Sequence, residues 1–330
     1  MTALVTGATG FLGSGLVRRL LDGGEPVRVL ARSEHRARAL AERGAEVVVG
    51  EITDVAALAE AVRGADVVYH LAGRLLEPGV QPAEYRRTHV EGTQLLLERC
   101  RRSPALQRFV HVSTTGVLGA TGVHPADESA PLHPTNVYET TKAHAELAVR
   151  DAARDWLPAV IARPGLVYGP GDLHLLGFFR AVLRRRFRPI GRRTVWLHPI
   201  YIDDMVEALL RCGERDGAAG ECFHLAGRDP VRLDDLASAI AAAGGTSVPA
   251  GHIPLPAARA AAAVGDRLPA GVRRSAPLTR TRLEFLTHSR VYDVTKARRL
   301  LGFEAATDLS AGTQLSMAWY RAHGHLPAGA

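Results

Sequence analysis

The sequence predicts an α/β protein built on a doubly wound parallel sheet, with a smaller lobe formed by its C-terminal part. In the first half of the chain, short apolar runs alternate with amphipathic stretches, which is typical of parallel strands covered by helices on both faces. After Arg163, prolines and glycines become more frequent and the helices lose clear strand partners. The alternation predicts the sheet, and its loss predicts the second lobe.

The elements follow from apolar runs and capping signals, taken in chain order. The first strand is predicted at Ala3–Thr6, and the helix at Leu12–Leu21 ends where Asp22-Gly23-Gly24 gives a C-cap signal. Further strands are predicted at 27–30, 46–49, 66–70, 108–112 and 159–162. Helices are predicted at 33–43, 55–62, 88–100 and 138–155, and in the second half at 177–186 and 233–243.

Composition excludes several classes of protein. The 330 residues are 46% hydrophobic and 23% charged, as in an ordinary globular chain. Three widely spaced cysteines without a CxxC motif argue against a disulfide framework and a zinc site, so no metal is expected. No apolar run approaches the length of about 20 residues that spans a bilayer, and the first strand begins too early to leave a signal peptide. We therefore expect a cytoplasmic protein without a membrane span.

The net charge of +7 includes one conspicuous arginine cluster. Aromatic residues make up only 5% of the chain and no RNP-like or helix-turn-helix pattern is present, so we expect a small-molecule substrate and no nucleic acid. The cluster is open to two interpretations, a solvated helix face or a surface that faces an anion. Its members are Arg180, Arg184, Arg185, Arg186, Arg188, Arg192 and Arg193.

A glycine-rich turn follows the first predicted strand, in the run Thr6-Gly7-Ala8-Thr9-Gly10-Phe11-Leu12-Gly13. A tight turn needs glycine conformations, close approach of a pyrophosphate excludes a Cβ, and the following helix N-terminus supplies N–H groups. The turn therefore predicts a Rossmann-type dinucleotide-binding fold. Its cofactor-binding residues are predicted to be Gly7, Thr9, Gly10, Phe11, Leu12 and Gly13. The predicted Rossmann domain covers 1–168, with 195–225 returning to it, and the substrate-binding lobe takes 169–194 and 226–330.

The end of the second strand bears on the choice of cofactor. An acidic residue there accepts hydrogen bonds from the ribose 2′-OH of NAD, whereas an arginine accommodates the 2′-phosphate of NADP. The strand ends at Leu30-Ala31-Arg32-Ser33 with no carboxylate, so Arg32 predicts a preference for NADP, with NAD possible. Asp54 follows the third strand, and it either accepts a hydrogen bond from the adenine amino group or caps the next helix.

A phenol and an ammonium group share one helix face in the run Tyr138-Glu139-Thr140-Thr141-Lys142. A free phenol has a pKa near 10, and a neighbouring cation together with a positive nicotinamide ring lowers that pKa. Val112-Ser113-Thr114 ends the fifth strand, at the sheet edge where doubly wound folds bind ligands. A hydroxyl there would hold the substrate oxygen while Tyr138 moves the proton.

These motifs resemble the extended short-chain dehydrogenase/reductase superfamily, in its NAD-dependent epimerase/dehydratase family. The resemblance also includes His70-Leu71-Ala72-Gly73, Arg163-Pro164-Gly165-Leu166-Val167-Tyr168-Gly169-Pro170-Gly171, Tyr201-Ile202-Asp203-Asp204 and the segment from Tyr292 to Phe303. It implies that Thr114 polarises the substrate oxygen, that Tyr138 is the general acid/base, and that Lys142 binds the nicotinamide ribose. It adds Leu71, Ala72, Gly73, Pro164 and Val167 to the cofactor-binding residues. Asp203 and Asp204 are interpreted as helix N-caps, although the family uses this segment to tie the two lobes together.

Departures from the family bear on the substrate. Nucleotide-sugar epimerases usually carry Asn and Arg where this chain has Leu166 and Leu197, and His89 stands where the family usually has Asn. The 3β-hydroxysteroid dehydrogenase-like branch looks more similar in 169–176 and 276–280. The leading prediction is an NAD(P)-dependent oxidoreductase that interconverts a hydrophobic secondary alcohol and a ketone. The alternatives are an NDP-sugar 4-epimerase or dehydratase with tightly held NAD(P), and a non-enzymatic dinucleotide sensor. The helices at 88–100 and 138–155 predict a homodimer, as in the superfamily.

Overall fold

The computed structural model describes residues 1–269, 272, 276 and 278–327, and it is organised around a parallel sheet of seven strands in the order β11-β7-β5-β4-β1-β2-β3. The strands are β1 (Ala3–Thr6), β2 (Val27–Ala31), β3 (Glu46–Val49), β4 (Val67–His70), β5 (Arg108–Val112), β6 (Gly122–Ala126), β7 (Ala159–Pro164), β8 (Leu166–Tyr168), β9 (Trp196–Leu197), β10 (Pro199–Tyr201), β11 (Cys222–Leu225), β12 (Val231–Arg232) and β13 (Arg290–Tyr292). The fold class predicted from the sequence is confirmed.

Helices cover both faces of this sheet and form most of the second lobe. They are α1 (Phe11–Asp22), α2 (Glu34–Ala41), α3 (Val55–Val62), α4 (Pro82–Arg86), α5 (Gly92–Cys100), α6 (Val137–Asp155), α7 (Leu176–Leu183), α8 (Ile202–Glu214), α9 (Leu233–Ala243), α10 (Leu255–Arg267), α11 (Arg280–Thr287) and α12 (Leu309–Ala322). A π-helical turn, Arg87–Glu91, joins α4 to α5.

The two faces of the sheet have separate apolar cores because side chains alternate along each strand. Val5 of β1 packs with Leu16 of α1 and with α8, whereas its neighbour Leu4 packs with Leu58 of α3 and Leu96 of α5 on the opposite face. All five of these side chains are buried. Because β1 is covered on both faces, it is a continuous apolar run rather than an alternation of apolar and polar residues.

Most predicted elements appear within one or two residues of their predicted bounds, and two helices differ. The helix predicted to begin at 88 starts at Pro82 and runs through the π-helical turn, because proline is well suited to the first helical position. The helix predicted to end at 186 stops at Leu183, since Arg185 adopts φ of +53° and breaks the helical course.

The chain returns to the sheet after a first excursion into the second lobe. β11 pairs in parallel with β7 at the edge of the sheet, and α8 packs against α1. Asp204, for which a helix cap was expected, instead accepts hydrogen bonds from the backbone N–H groups of Ala306 and Thr307 at 3.1 and 3.0 Å. The residue at the cap position of α8 is Tyr201, so the cap interpretation of Asp203 and Asp204 is wrong. The bonds of Asp204 hold the segment before α12 against α8.

The second lobe is built from helices and short two-stranded pairs. α9 packs between α7 and α12, and α10 packs against α11. Short pairs β8–β10, β9–β12 and β6–β13 connect this lobe to the carboxyl edge of the sheet. Pro277, in one of the segments that carry the resemblance, lies outside the described residues.

Candidate active site

The glycine turn after β1 has no room for side chains. Gly7 has φ of +71°, and a Cβ on it would lie 2.7 Å from the backbone of Leu71 and Ala72. A Cβ on Gly13 would lie 2.2 Å from the carbonyl oxygen of Gly7. Both distances are impossible for a real side chain, so the turn requires glycine at these positions. The close packing brings the predicted residues Gly7, Leu71 and Ala72 together at one edge of the sheet.

The N-terminus of α1 faces out of this turn. Gly10 is its N-cap and has no side chain to bond the first N–H groups, which belong to Phe11, Leu12 and Gly13. No acidic residue lies in the first turn. A helix end of this kind attracts an anion through its N–H groups and dipole. The arrangement fits a dinucleotide pyrophosphate.

The residue after β2 is an exposed arginine, as the prediction of an NADP site requires. Arg32 lies beyond the last strand residue, and Arg36 and Arg38 are exposed on α2. Asp54 caps α3, where its Oδ1 accepts from the N–H groups of Ala56 and Ala57 at 3.0 and 3.1 Å. The structure shows the cap, and the hydrogen bond from the adenine amino group to Asp54 stays a prediction.

Tyr138 and Lys142 lie one turn apart near the start of α6. This helix begins after Asn136, whose Oδ1 accepts from the N–H of Glu139 at 3.0 Å. Lys142 is 5% exposed and its Nζ donates to the carbonyl oxygen of Val112, the last residue of β5, at 2.5 Å. Burial lowers the pKa of Lys142 to about 8. The cap and this bond fix α6 against the end of β5.

The phenol of Tyr138 is half-buried and lies close enough to the hydroxyl of Thr114 for that hydroxyl to affect its pKa. Burial raises the pKa of Tyr138 to about 12, against a smaller lowering effect of the Thr114 hydroxyl. The expectation that Lys142 makes the phenol more acidic is therefore not met by the protein's own groups. The other group expected to lower the pKa of the phenol is a positive nicotinamide ring.

Three hydroxyls follow one another after β5, and their partners distinguish them. Ser113 is buried and donates to Glu146 Oε2 at 2.6 Å, and Thr115 is buried and donates to the carbonyl oxygen of Pro164 at 2.9 Å. Thr114 is half-buried and its Oγ1 accepts from the N–H of Gly116 at 3.0 Å. The structure thus brings Thr114, rather than its neighbours, together with Tyr138.

His89 lies beside Tyr138 and connects three segments. Its Nε2 accepts from the N–H of Arg74 at 2.9 Å, so the proton of the neutral ring is on Nδ1. Nδ1 donates to Thr141 Oγ1 at 2.8 Å, and that hydroxyl donates to the carbonyl oxygen of Val137 at 2.8 Å. The ring meets the Tyr138 ring edge-on, with centroids 5.6 Å apart. His89 therefore ties the loop after β4 to the start of α6, which is a structural role.

A buried ion pair lies behind the hydroxyls, and the sequence prediction missed it. Arg163 of β7 and Glu146 of α6 are both fully buried and form two bonds, at 2.8 and 3.1 Å. Arg150 adds a third bond to Glu146 at 2.8 Å. Burial opposes the charge of Glu146, but the hydrogen bonds and charge of Arg163 outweigh it and lower the pKa of the carboxyl. The available signal was an arginine directly after the apolar strand predicted at 159–162.

The remaining predicted site residues lie at the carboxyl edge of β7. Pro164 ends that strand and is buried, and Val167 is half-buried in β8. Leu166 is half-buried in the same strand, whereas Leu197 is buried in β9. Neither leucine side chain offers a hydrogen-bond donor to an anion.

Two further predicted cofactor-binding residues lie elsewhere. Gly73 lies beside His89, since a Cβ on Gly73 would be 3.5 Å from Nε2 of His89. Thr9 lies within the glycine turn.

Two kinds of feature are absent from the described part of the chain. No group of three or more His, Cys, Asp or Glu side chains among these residues is arranged to hold a metal ion. Within the same residues, no helix combines the length and the apolar character that a bilayer crossing needs.

Known proteins resemble this chain in sequence and in fold. The model of the NAD-dependent epimerase/dehydratase family matches residues 3–226. A 4-hydroxy-2-methyl-3-oxo-4-farnesyl-3,4-dihydroquinoline-1-oxide ketoreductase of Stigmatella aurantiaca is 33% identical over 92% of each chain. A 3β-hydroxysteroid dehydrogenase/Δ5→4-isomerase of Mycobacterium tuberculosis is 30% identical over 91% of this chain and 85% of its own. The UDP-glucose 4-epimerase of Thermotoga maritima superposes with a TM-score of 0.78 at 23% identity, over 98% of this chain and 99% of its own, and shares the fold.

Proposed function

Because the chain belongs to the NAD-dependent epimerase/dehydratase family, we propose that it is a reductase that consumes NADPH and converts a hydrophobic ketone to a secondary alcohol. The relatives support this proposal, because the ketoreductase and the hydroxysteroid dehydrogenase are oxidoreductases. The observation that carries the proposal is the contact between the Tyr138 phenol and the Thr114 hydroxyl, with Lys142 one turn along the helix.

The glycine turn is the place for the cofactor, because it forms a cradle that a Cβ would fill. The pyrophosphate would lie on the N-terminus of α1, against Gly10, Phe11 and Leu12. Lys142 would hold the nicotinamide ribose, and Val167 would face the carboxamide. The reduced nicotinamide supplies the hydride when bound. These assignments are carried over from the family and supported by the positions of the residues.

Tyr138 is suited to give up a proton to the oxygen of a ketone. Its raised pKa keeps the phenol protonated at neutral pH, which is the form that a general acid needs. As the carbonyl oxygen gains negative charge, Thr114 would donate a hydrogen bond to it and Tyr138 would transfer its proton. The same pKa makes Tyr138 a poor base for oxidation of an alcohol. The phenol is therefore in the protonation state from which the reduction of a ketone starts.

The apolar character of the site supports a hydrophobic substrate. A diphosphate loses its hydration on binding and needs several paired donors in return. Leu166 and Leu197 supply none. Besides the ketoreductase and the steroid dehydrogenase above, a 2-alkyl-3-oxoalkanoate reductase of Stenotrophomonas maltophilia is 30% identical over 94% of this chain. We propose a bulky ketone of this kind, bound by the lobe of 169–194 and 226–330.

The preference for NADP rests on Arg32. It is exposed beyond β2, and neither Arg32 nor Arg36 nor Arg38 is bonded to a carboxylate within the described ranges. A guanidinium in this position would pair with the 2′-phosphate of NADP through two parallel hydrogen bonds.

A homodimer in the cytoplasm completes the proposal. The superfamily pairs the helices that correspond to α5 and α6, and Leu147 is an exposed apolar residue on α6. The three cysteines are unpaired, as expected in a reducing compartment. Size-exclusion chromatography with light scattering, on the wild-type chain and on Leu147→Glu, tests the dimer. A wild-type monomer would contradict it.

Turnover of the cofactor tests the reaction. We expect the purified chain to oxidise one NADPH for each 2-alkyl-3-oxoalkanoate or 3-ketosteroid reduced, and to leave NDP-sugars unchanged. A protein that purifies with bound NAD and epimerises an NDP-sugar without net consumption of cofactor would contradict the proposal in favour of the epimerase alternative.

A further inference from the structure

The arginine cluster accounts for the whole net charge of the protein. The chain has 41 lysines and arginines against 34 aspartates and glutamates. Seven of those arginines lie between 180 and 193, and no acidic residue lies between 173 and 193. Without this segment, 34 basic residues face 34 acidic ones. We call the seven residues the arginine face; they are Arg180, Arg184, Arg185, Arg186, Arg188, Arg192 and Arg193.

Contacts between segments extend this face over one side of the second lobe. Arg180 donates to the carbonyl oxygen of His325 at 3.0 Å, and Arg185 donates to Ser247 Oγ at 2.6 Å. Arg192 contacts the ring of His252. The neighbouring segments 236–265 and 309–327 contain no aspartate or glutamate. The arginine face therefore continues into surroundings without negative charge.

The seven residues lie at the surface, where their charges meet solvent. All seven are exposed, and none forms an ion pair with a carboxylate in the part of the chain that the structure describes. Arg185 has a positive φ, which costs a non-glycine residue free energy, and the turn that it makes ends α7. Like charges held this close repel one another. An interaction partner of opposite charge would relieve that repulsion.

We propose that the arginine face binds the surface of an anionic lipid bilayer. The face is spread over the end of α7 and the turns that follow it, which suits a broad, evenly charged surface better than a single soluble anion. Guanidinium groups pair well with phosphate, and long arginine side chains reach it while their stems lie along apolar groups. Leu173, which precedes α7, is 58% exposed and supplies an apolar contact beside the charges.

The position of the arginine face relates membrane binding to the proposed reaction. The segment begins just after the loop that brings Gly171 beside Phe11 of the glycine turn, where a Cβ on Gly171 would lie 3.4 Å from the Phe11 ring. Binding through the arginine face would place the second lobe against the membrane, where hydrophobic ketones accumulate. This last step rests on the proposed function, whereas the binding itself does not.

Vesicle sedimentation of the full chain, without substrate, tests the binding separately from the reaction. We expect the protein to sediment with vesicles of phosphatidylcholine mixed with phosphatidylglycerol, and to remain in solution with phosphatidylcholine alone. The triple variant R184Q/R186Q/R188Q should bind the anionic vesicles roughly a hundredfold more weakly, since each surface arginine contributes about fivefold. Added salt should weaken the wild-type binding.

A second triple variant provides a control with the same net charge. R18Q/R63Q/R102Q removes three exposed arginines from the Rossmann side of the protein. We expect it to bind the anionic vesicles as the wild type does. Equal weakening in both triples, no binding to anionic vesicles, or tighter binding to soluble polyglutamate than to the vesicles would each overturn the inference.

Discussion

The side-chain hydroxyls of Tyr138 and Thr114 lie close together although the two residues belong to different elements, α6 and the turn after β5. Ser113 and Thr115 are as near in sequence, but both hydroxyls are bound elsewhere in the protein. The contact brings two hydroxyl groups together at the carboxyl edge of the sheet, which is where doubly wound folds bind their ligands.

Removal of the phenol should abolish most of the activity. We expect Tyr138→Phe to lower kcat about 10²- to 10⁴-fold, because the transition state loses its proton donor. Thr114→Val should lower kcat by about 10- to 100-fold, because one hydrogen bond to the charged oxygen is lost. Ser113→Ala is the matched control and should affect stability more than kcat. Steady-state kinetics with NADPH measure kcat for the three variants. A Thr114→Val variant with unchanged kcat would contradict the role proposed for Thr114.

The pH dependence of reduction should follow Lys142. Burial lowers its pKa to about 8, so the ammonium form predominates below that pH and is lost above it. We expect kcat/KM to fall as the pH rises through about 8, if the positive charge is needed to hold the cofactor. Lys142→Met should remove this limb of the profile together with most of the activity. A wild-type profile that is flat up to pH 10 would contradict the role of Lys142.

Arg32 should determine cofactor preference. We expect Arg32→Ala to raise the KM for NADPH by about tenfold or more, because a charge-assisted pair to the 2′-phosphate is lost. The KM for NADH should hardly change, which makes it an internal control for folding. Kinetics with both cofactors measure the two constants. Tighter use of NADH than NADPH by the wild type would contradict the prediction.

The buried ion pair should be important for stability. We expect Glu146→Gln to lower the free energy of unfolding by about 3–5 kcal/mol, because the guanidinium of Arg163 would stay buried without its partner charge. Asp151→Asn on the same helix breaks the exposed pair with Arg154 and should cost less than about 1 kcal/mol. Urea unfolding at neutral pH measures both changes. Equal effects of the two variants would contradict the prediction.

Acid should destabilise the protein from about pH 6.5 downwards. Burial lowers the pKa of His70, His89 and His224 to about 3, whereas unfolded histidines have values near 6.5. Between these values the unfolded chain binds more protons, so stability is present above pH 6.5 and is lost as the pH falls towards 3. Each histidine contributes up to about 1.4 kcal/mol per pH unit.

Urea unfolding at several pH values tests this dependence. His224→Gln should reduce the slope of the free energy of unfolding between pH 6.5 and pH 4, since one of the buried histidines no longer titrates. His35 lies exposed on α2 and provides the matched control His35→Gln, which should leave the slope unchanged. A wild-type stability that does not change over this pH range would contradict the assignment.

Local sequence determined the elements of the sheet and the glycine turn between β1 and α1. The alternation of apolar strands and amphipathic helices, and the glycines between β1 and α1, are properties of residues close in the chain, and periodicity records them directly. The spacing of Tyr138 and Lys142 is a further local property, because four residues make about one turn of a helix. Each of these features lies where it was predicted.

Contacts between distant residues were decided by the tertiary structure. Three consecutive residues after β5 carry hydroxyl groups, and their chemistry alone does not distinguish them. Only the packing of α6 shows that Thr114 lies beside Tyr138. Asp204 holds a segment about 100 residues later instead of capping its own helix. The pairing of Arg163 with Glu146 and the extent of the arginine face also depend on which elements pack together. Periodicity reports which face of an element is apolar, but burial and pairing depend on all the neighbours that the fold brings to that face.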